Sequence, residues 1–142
     1  MKYHNITPLS PKAYEVFKYL ADLARADEEQ AAKLDNAPDL MPVYVEIIFP
    51  ISEDDEQISI AHYGEQCGDL MRDPEMIFFH DRKEGKAYPM EYRNDYVGTL
   101  EVSIKDDLNG RPKMVNQARQ KQHAAFADLW MKNIKKQQRI KL

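Results

Sequence analysis

Val43-Tyr44-Val45-Glu46-Ile47-Ile48-Phe49 is the stretch that decides the fold. Side chains of an extended chain alternate between faces, so Val43, Val45, Ile47 and Phe49 share one apolar side. A helix period fits the run poorly, and its β-branched content favours a strand. The residues that follow keep the same period. An acidic turn at 52–56 leads to a second strand, where Ile58, Ile60 and His62 alternate with Ser59, Ala61 and Tyr63. Residues 76–80 predict a third strand, and residues 83–86 a hairpin connection with Gly85 as its positive-φ residue. Residues 88–92 form the fourth, with Pro89 marking an edge or a bulge because it cannot donate to a ladder. Leu100, Val102 and Ile104 predict a short fifth strand after the loop at 94–98.

Helices bracket this region. Ser10-Pro11 reads as an N-cap followed by proline at the first helical position. Ala13, Phe17, Leu20 and Ala24, with Val16 and Leu23 beside them, then recur at helical spacing. The helix is expected to run to about Leu34, before Asn36-Ala37-Pro38 stops it. At the other end, Asn109-Gly110-Arg111-Pro112 is a turn expected to launch a long final helix. Val115, Ala118, Gln122, Phe126 and Leu129 step along one predicted face, flanked by Ala125 and Trp130. Lys121, Lys132, Lys135 and Arg139 fall on a stripe beside it, at 100° per residue. Helix, four or five antiparallel strands and helix imply a two-layer α+β fold in a single domain, residues 1–142.

The 142 residues suffice for one core, and 43% hydrophobic with 31% charged residues are globular values. No apolar run approaches the roughly 20 residues of a membrane span, and the first residues lack the apolar stretch of a signal peptide. Cys67 is the single cysteine, so no internal disulfide forms and a reducing, cytoplasmic setting is expected. Net charge is −4, but unevenly spread. Residues 1–110 carry −12 and residues 111–142 carry +8, with Asp128 the only acid in the second part. Such asymmetry marks either a nucleic-acid or acidic-partner surface, or a basic segment that complements an acidic body.

Two polar clusters stand out. The first spans 62–76 and is expected to be a strand end, a shaped turn and a strand start; the second is Tyr92-Arg93-Asn94-Asp95-Tyr96. Arg72 and Arg93, with Tyr63, Tyr92 and Tyr96, are of the types enriched at recognition surfaces. Glu65, Gln66, Asp69, Asp73, Asn94 and Asp95 complete the candidate binding surface. Glu65, Asp69, Asp73 and Glu75, flanked by His62 and His80, offer oxygen ligands to a hard cation, yet no established ligand spacing is present. Asp69 and Asp73 are also ordinary turn residues. Cys67 lacks the low-pKa setting of a nucleophile, because its neighbours are acidic. His4 and His123 read as surface or boundary residues. No phosphate loop, nucleophile elbow or Ser/His/Asp order is present, and no metal or cofactor is expected.

The string Tyr63-Gly64-Glu65-Gln66-Cys67-Gly68-Asp69-Leu70-Met71-Arg72-Asp73-Pro74-Glu75-Met76, followed by Pro89 and residues 92–96, resembles a small domain family of unknown function. That family is encoded by bacterial mobile elements, in phages, plasmids and conjugative transposons. The resemblance covers roughly residues 43–100, with asparagine the family's usual residue at the place of Cys67. It implies a mobile-element accessory protein and no reaction. The leading expectation is a non-enzymatic binding module that contacts a protein or nucleoprotein partner through the two clusters. The alternatives are nucleic-acid binding through Lys121, Lys132, Lys135 and Arg139, an acidic surface that mimics DNA, and a metal-dependent hydrolase using Glu65, Asp69 and Asp73.

Overall fold

The computed structural model describes residues 3–142. Ser10 caps α1 (Pro11–Arg25), its hydroxyl accepting from the Ala13 N–H at 3.3 Å, and the expected apolar face is buried. The helix ends at Arg25 rather than near Leu34. Asp27 accepts from the N–H groups of Glu29 and Gln30 in a tight turn, and Gln30 adopts φ 57°. The chain then reverses into β1 (Ala31–Leu34), which runs antiparallel to β2 (Val43–Pro50). Pairing with β2 overrides the helical propensity of an Ala-Ala-Lys-Leu segment.

β3 (Asp55–Gln66), β4 (Asp69–Asp81), β5 (Lys86–Asn94) and β6 (Thr99–Val102) continue the sheet. The result is a six-stranded antiparallel meander in chain order, one strand beyond the predicted four or five because of β1. Gly85 is at φ 67°, as the hairpin requires. Pro89 lies at a bulge in an interior strand: the register jumps from Ile77↔Glu91 to Phe78↔Pro89. A second bulge between Ile47 and Phe49 turns Phe49 away from the face of Val43, Val45 and Ile47.

Ile104 leaves the main sheet for a separate hairpin, β7 (Ile104–Asp106) with β8 (Pro112–Val115). The expected helix start is therefore a strand, and α2 (Gln117–Gln137) begins after the N-cap Asn116. The inward face of α2 also differs from the predicted one. Gln120, His123, Ala124, Ala127, Trp130, Met131 and Ile134 are buried, whereas Gln122, Phe126 and Leu129 are exposed. Polar residues occupy the inside because partners far along the chain satisfy them. Gln120 bonds both backbone groups of Thr7 at 2.8 Å, and His123 Nδ1 meets the Ser103 hydroxyl at 2.8 Å.

Both helices cover one face of the sheet, where Phe17, Leu20, Ile58, Ile60, Phe78, Met131 and Ile134 form the main core. Each such side chain contributes about 1.5–3 kcal/mol on burial. The other face is half covered. Ile6, Phe79, Tyr88, Met90 and Ile104 make a smaller core under the N-terminal segment and the β7–β8 hairpin. A buried polar chain fastens α1 to the sheet: Arg25 donates to both oxygens of Glu56 at 2.6 and 2.7 Å, Glu56 meets His80 Nδ1 at 2.8 Å, and His80 Nε2 meets the Tyr14 hydroxyl at 2.8 Å.

Candidate functional site

The first polar cluster is the expected strand end, turn and strand start, joined as one long hairpin of β3 and β4. Cys67 (φ 53°) and Gly68 (φ 84°) are its two-residue turn, and the ladder runs from Gln66↔Asp69 to Tyr63↔Arg72. Two successive positive-φ residues match the twist of a right-handed hairpin, and glycine takes that conformation without cost. Glu65, Gln66 and Asp69 are exposed at the tip.

The two clusters adjoin. Asp95 Oδ2 accepts from the Arg72 backbone N–H and from its Nε, both at 2.8 Å, and the Asp95 N–H returns a bond to the Arg72 carbonyl at 2.9 Å. These bonds hold the Asp95 carboxyl below the usual range. Asn94 donates to Asp73 at 3.1 Å while its own oxygen accepts from the Tyr96 N–H at 3.0 Å. The Tyr96 ring lies on the backbone of Gly64, where any Cβ would collide with its hydroxyl. Arg72, Asp73, Asn94 and Asp95 therefore clasp the β3–β4 hairpin to the β5–β6 turn, and much of their bonding capacity is internal.

The remaining members separate. Tyr63 packs edge-on against Tyr44 at 5.2 Å on the outer face, where Arg93 sits in register with Glu75 and Leu100. Tyr92 points the other way, into α2, against His123 and Phe126. His62 bonds the Pro42 carbonyl and packs on Trp130, far from the hairpin tip. His123, read as a surface or boundary residue, is buried at 4% exposure. Among the described residues no three His, Cys, Asp or Glu side chains converge as a metal site. Cys67 is exposed on the turn.

The Tyr14–His80–Glu56 chain resembles an acid–base relay, but its electrostatics oppose that use. Burial resists ionisation of Glu56, yet hydrogen bonds from Arg25 and His80 prevail and hold its carboxyl down at about 2. Burial raises the Tyr14 hydroxyl instead, so its proton is held. The chain serves as a structural tie.

A different place gathers groups whose partners are not supplied by the fold. A groove of about 890 Å³ runs between the first half of α1 and the C-terminal part of α2. Lys12, Lys132, Lys135, Lys136, Arg139 and Lys141 line it, against only Glu15 and Asp128. Asp128 already accepts from the Ser10 N–H at 2.9 Å. Among the described residues none of the six cations has a carboxylate within 4.0 Å. Lys135 and Lys136 sit in the last turn of α2, where the helix dipole favours cations. That account fails for Lys12, which stands in the first turn of α1, the end that disfavours positive charge.

Arg139 is held at φ 55° as the residue after the C-cap, a place that usually takes glycine. The Ile140 N–H closes the motif on the Lys135 carbonyl at 3.0 Å. Three members of the predicted stripe, Lys132, Lys135 and Arg139, thus reach the groove, and Lys121 does not. Lys12, Lys136 and Lys141 were missed. Lys136 was within reach of sequence reasoning as the i+4 neighbour of Lys132, whereas Lys12 required the packing of α1 on α2.

Fold and groove together define a small α+β domain: a six-stranded meander backed by two helices, with a cationic channel between them. A family described as a domain of unknown function (DUF6908) matches residues 15–140, and the chain belongs to that family. No curated protein and no solved structure matches it. No helix among the described residues is long and apolar enough to cross a membrane.

Proposed function

We propose that this protein is a non-enzymatic binding module that seats an anionic segment of a macromolecular partner in the groove between α1 and α2. The observation that carries the reading is the set of six groove cations without carboxylate partners, in a chain whose net charge is −4. An attractive site on a globally acidic protein selects partners by local field rather than net charge. The double cluster is the weaker seat, because Arg72 and Asp95 already satisfy one another. A cytoplasmic accessory role in a bacterial mobile element, the setting implied by the resemblance of residues 63–76, is consistent with such a module.

Heparin chromatography tests the reading. The protein is expected to be retained at low salt and released as salt screens the contact. Lys132→Glu with Lys136→Glu should pass through unretained. Equal retention of the double variant and the parent would overturn the assignment.

A second reading rests on a separate observation. Leu70 and Val97 are 71% and 72% exposed, and Leu100 51%, at the clasped end of the sheet. A protein partner contacting that end would be lost on Arg72→Ala with Arg93→Ala, while heparin retention persisted.

A further inference from the structure

We infer that the occupant of the α1–α2 groove is an acidic amphipathic helix of a partner protein; this rests on the proposed anion-binding role of that groove. The lining separates into two chemistries. Ala13, Val16, Leu129 and Ile140 supply aliphatic surface, and the six cations supply positive charge. Val16 and Ile140 are buried, whereas Leu129 is 56% exposed and stands ready to be covered.

Nucleic acid fits this lining poorly. Single strands are held by stacking of bases on aromatic rings, and the groove contains no aromatic residue. Duplex recognition requires a convex element that enters a groove of the nucleic acid, whereas this site is itself concave. Five of the six cations are lysines, point charges without the forked geometry that reads phosphates in pairs.

A helix satisfies the same features. The cleft between two packed helices accepts a third by ridge-into-groove packing, with apolar anchors at i, i+3 or i+4, and i+7. Lys132 to Arg139 spans roughly 10 Å at about 1.5 Å per residue, or about two turns of an occupant. Leucine-type anchors would meet Val16, Leu129 and Ile140, and glutamates flanking them would meet the lysines of α2. The volume of about 890 Å³ suits a few anchor side chains, lying within the roughly 300–1,000 Å³ range of pockets that enclose small ligands.

The test is fluorescence anisotropy with the full chain and three labelled probes at low and moderate salt. One is a peptide with leucines at the stated spacing between glutamates. The second is a scramble of the same composition, and the third an oligothymidylate. The patterned peptide is expected to bind about tenfold tighter than the scramble. Leu129→Ala, at an exposed position that leaves the core untouched and adds no charge, should cost about tenfold in affinity for the patterned peptide alone. Lys132→Glu with Lys136→Glu should weaken both peptides and flatten the salt dependence. Equal binding of the two peptides, or tighter binding of the oligothymidylate, overturns the helix assignment and leaves the anion-binding role of the groove standing. No binding of any probe overturns both.

Discussion

Glu56→Gln isolates one buried charge whose worth can be worked from the structure. The Glu56 side chain is 4% exposed, receives two bonds from Arg25 and one from His80, and has its carboxyl held at about 2 against an ordinary 4.5. A carboxyl depressed on folding contributes stability that is present above its unfolded pKa and lost as pH falls through its folded pKa. The gap corresponds to about 3 kcal/mol, of which about 2 is gone by pH 3. Glutamine keeps the shape but leaves Arg25 with only Asp22, 3.9 Å away, as a counter-charge, and Arg25 Nε already lacks a hydrogen-bond partner. At pH 7 the variant should therefore be less stable by about 3 kcal/mol, the low end for a broken buried pair. Urea unfolding followed through Trp130, the single tryptophan and 6% exposed, gives the comparison at pH 7, 5 and 3. The difference between parent and variant should shrink by about 2 kcal/mol between neutral pH and pH 3. A difference that stays constant with pH would refute the assignment of that stability to an ionised Glu56.

Further outcomes are expected at other positions. Arg139→Gly removes a left-handed strain of about 1–2 kcal/mol and adds about 0.5–1 kcal/mol of unfolded-state freedom. Thermal unfolding should show an unchanged or slightly higher midpoint while heparin retention falls, and a lower midpoint would contradict the cap geometry. Gly64→Ala collides with the far end of the exposed Tyr96 side chain, which can swing away. Its cost should stay within about 1 kcal/mol, with faster amide exchange across 95–98 as the readout. Gln138→Ala leaves the Asn36 N–H and the Met41 carbonyl without their bonds of 2.8 and 3.0 Å. Urea unfolding should report a loss of about 2–3 kcal/mol.

Local signals were legible in the sequence, and long-range ones were not. Ser10 as a cap, Gly85 as a left-handed turn residue and Pro89 beside a bulge each follow from the chemistry of one or two residues. Residues 31–34 read as helix because their propensity is helical, and only the ladder to β2 makes them a strand. The orientation of α2 was misread for the same reason. Phe126 and Leu129 look like core residues, and Gln120 becomes one only through Thr7, which is 113 positions away. The candidate site divides along this line. A lysine stripe on α2 was visible, but its conversion into a groove needed α1 to bring Lys12, Ala13 and Val16 alongside. Conversely, Arg72 and Asp95 looked like free recognition groups because nothing local shows that they bond each other across 23 positions.

The cost of the cationic groove yields a last prediction. Lys132 with Lys135 and Lys132 with Lys136 stand three and four residues apart within α2, the spacings at which like charges meet on a helix. Each pair is unfavourable by about 0.2–0.5 kcal/mol, so the two together oppose folding by about 0.4–1 kcal/mol. Exposed carboxylates opposite them would change stability by no more than about 1 kcal/mol, so a stable fold does not require the pattern. An anion that binds the folded state alone relieves the repulsion and adds its own linkage, about 2.7 kcal/mol when free ligand is a hundredfold above Kd. Adding heparin oligosaccharide should therefore raise the unfolding midpoint of the parent, by a few degrees per kcal/mol in a domain of this size. Lys132→Glu with Lys136→Glu turns the Lys132–Lys135 repulsion into an attraction but keeps a like-charge pair at 132 and 136, so it should unfold at about the same temperature without ligand, yet gain little from heparin. A heparin response of equal size in both proteins would place the anion elsewhere on the molecule.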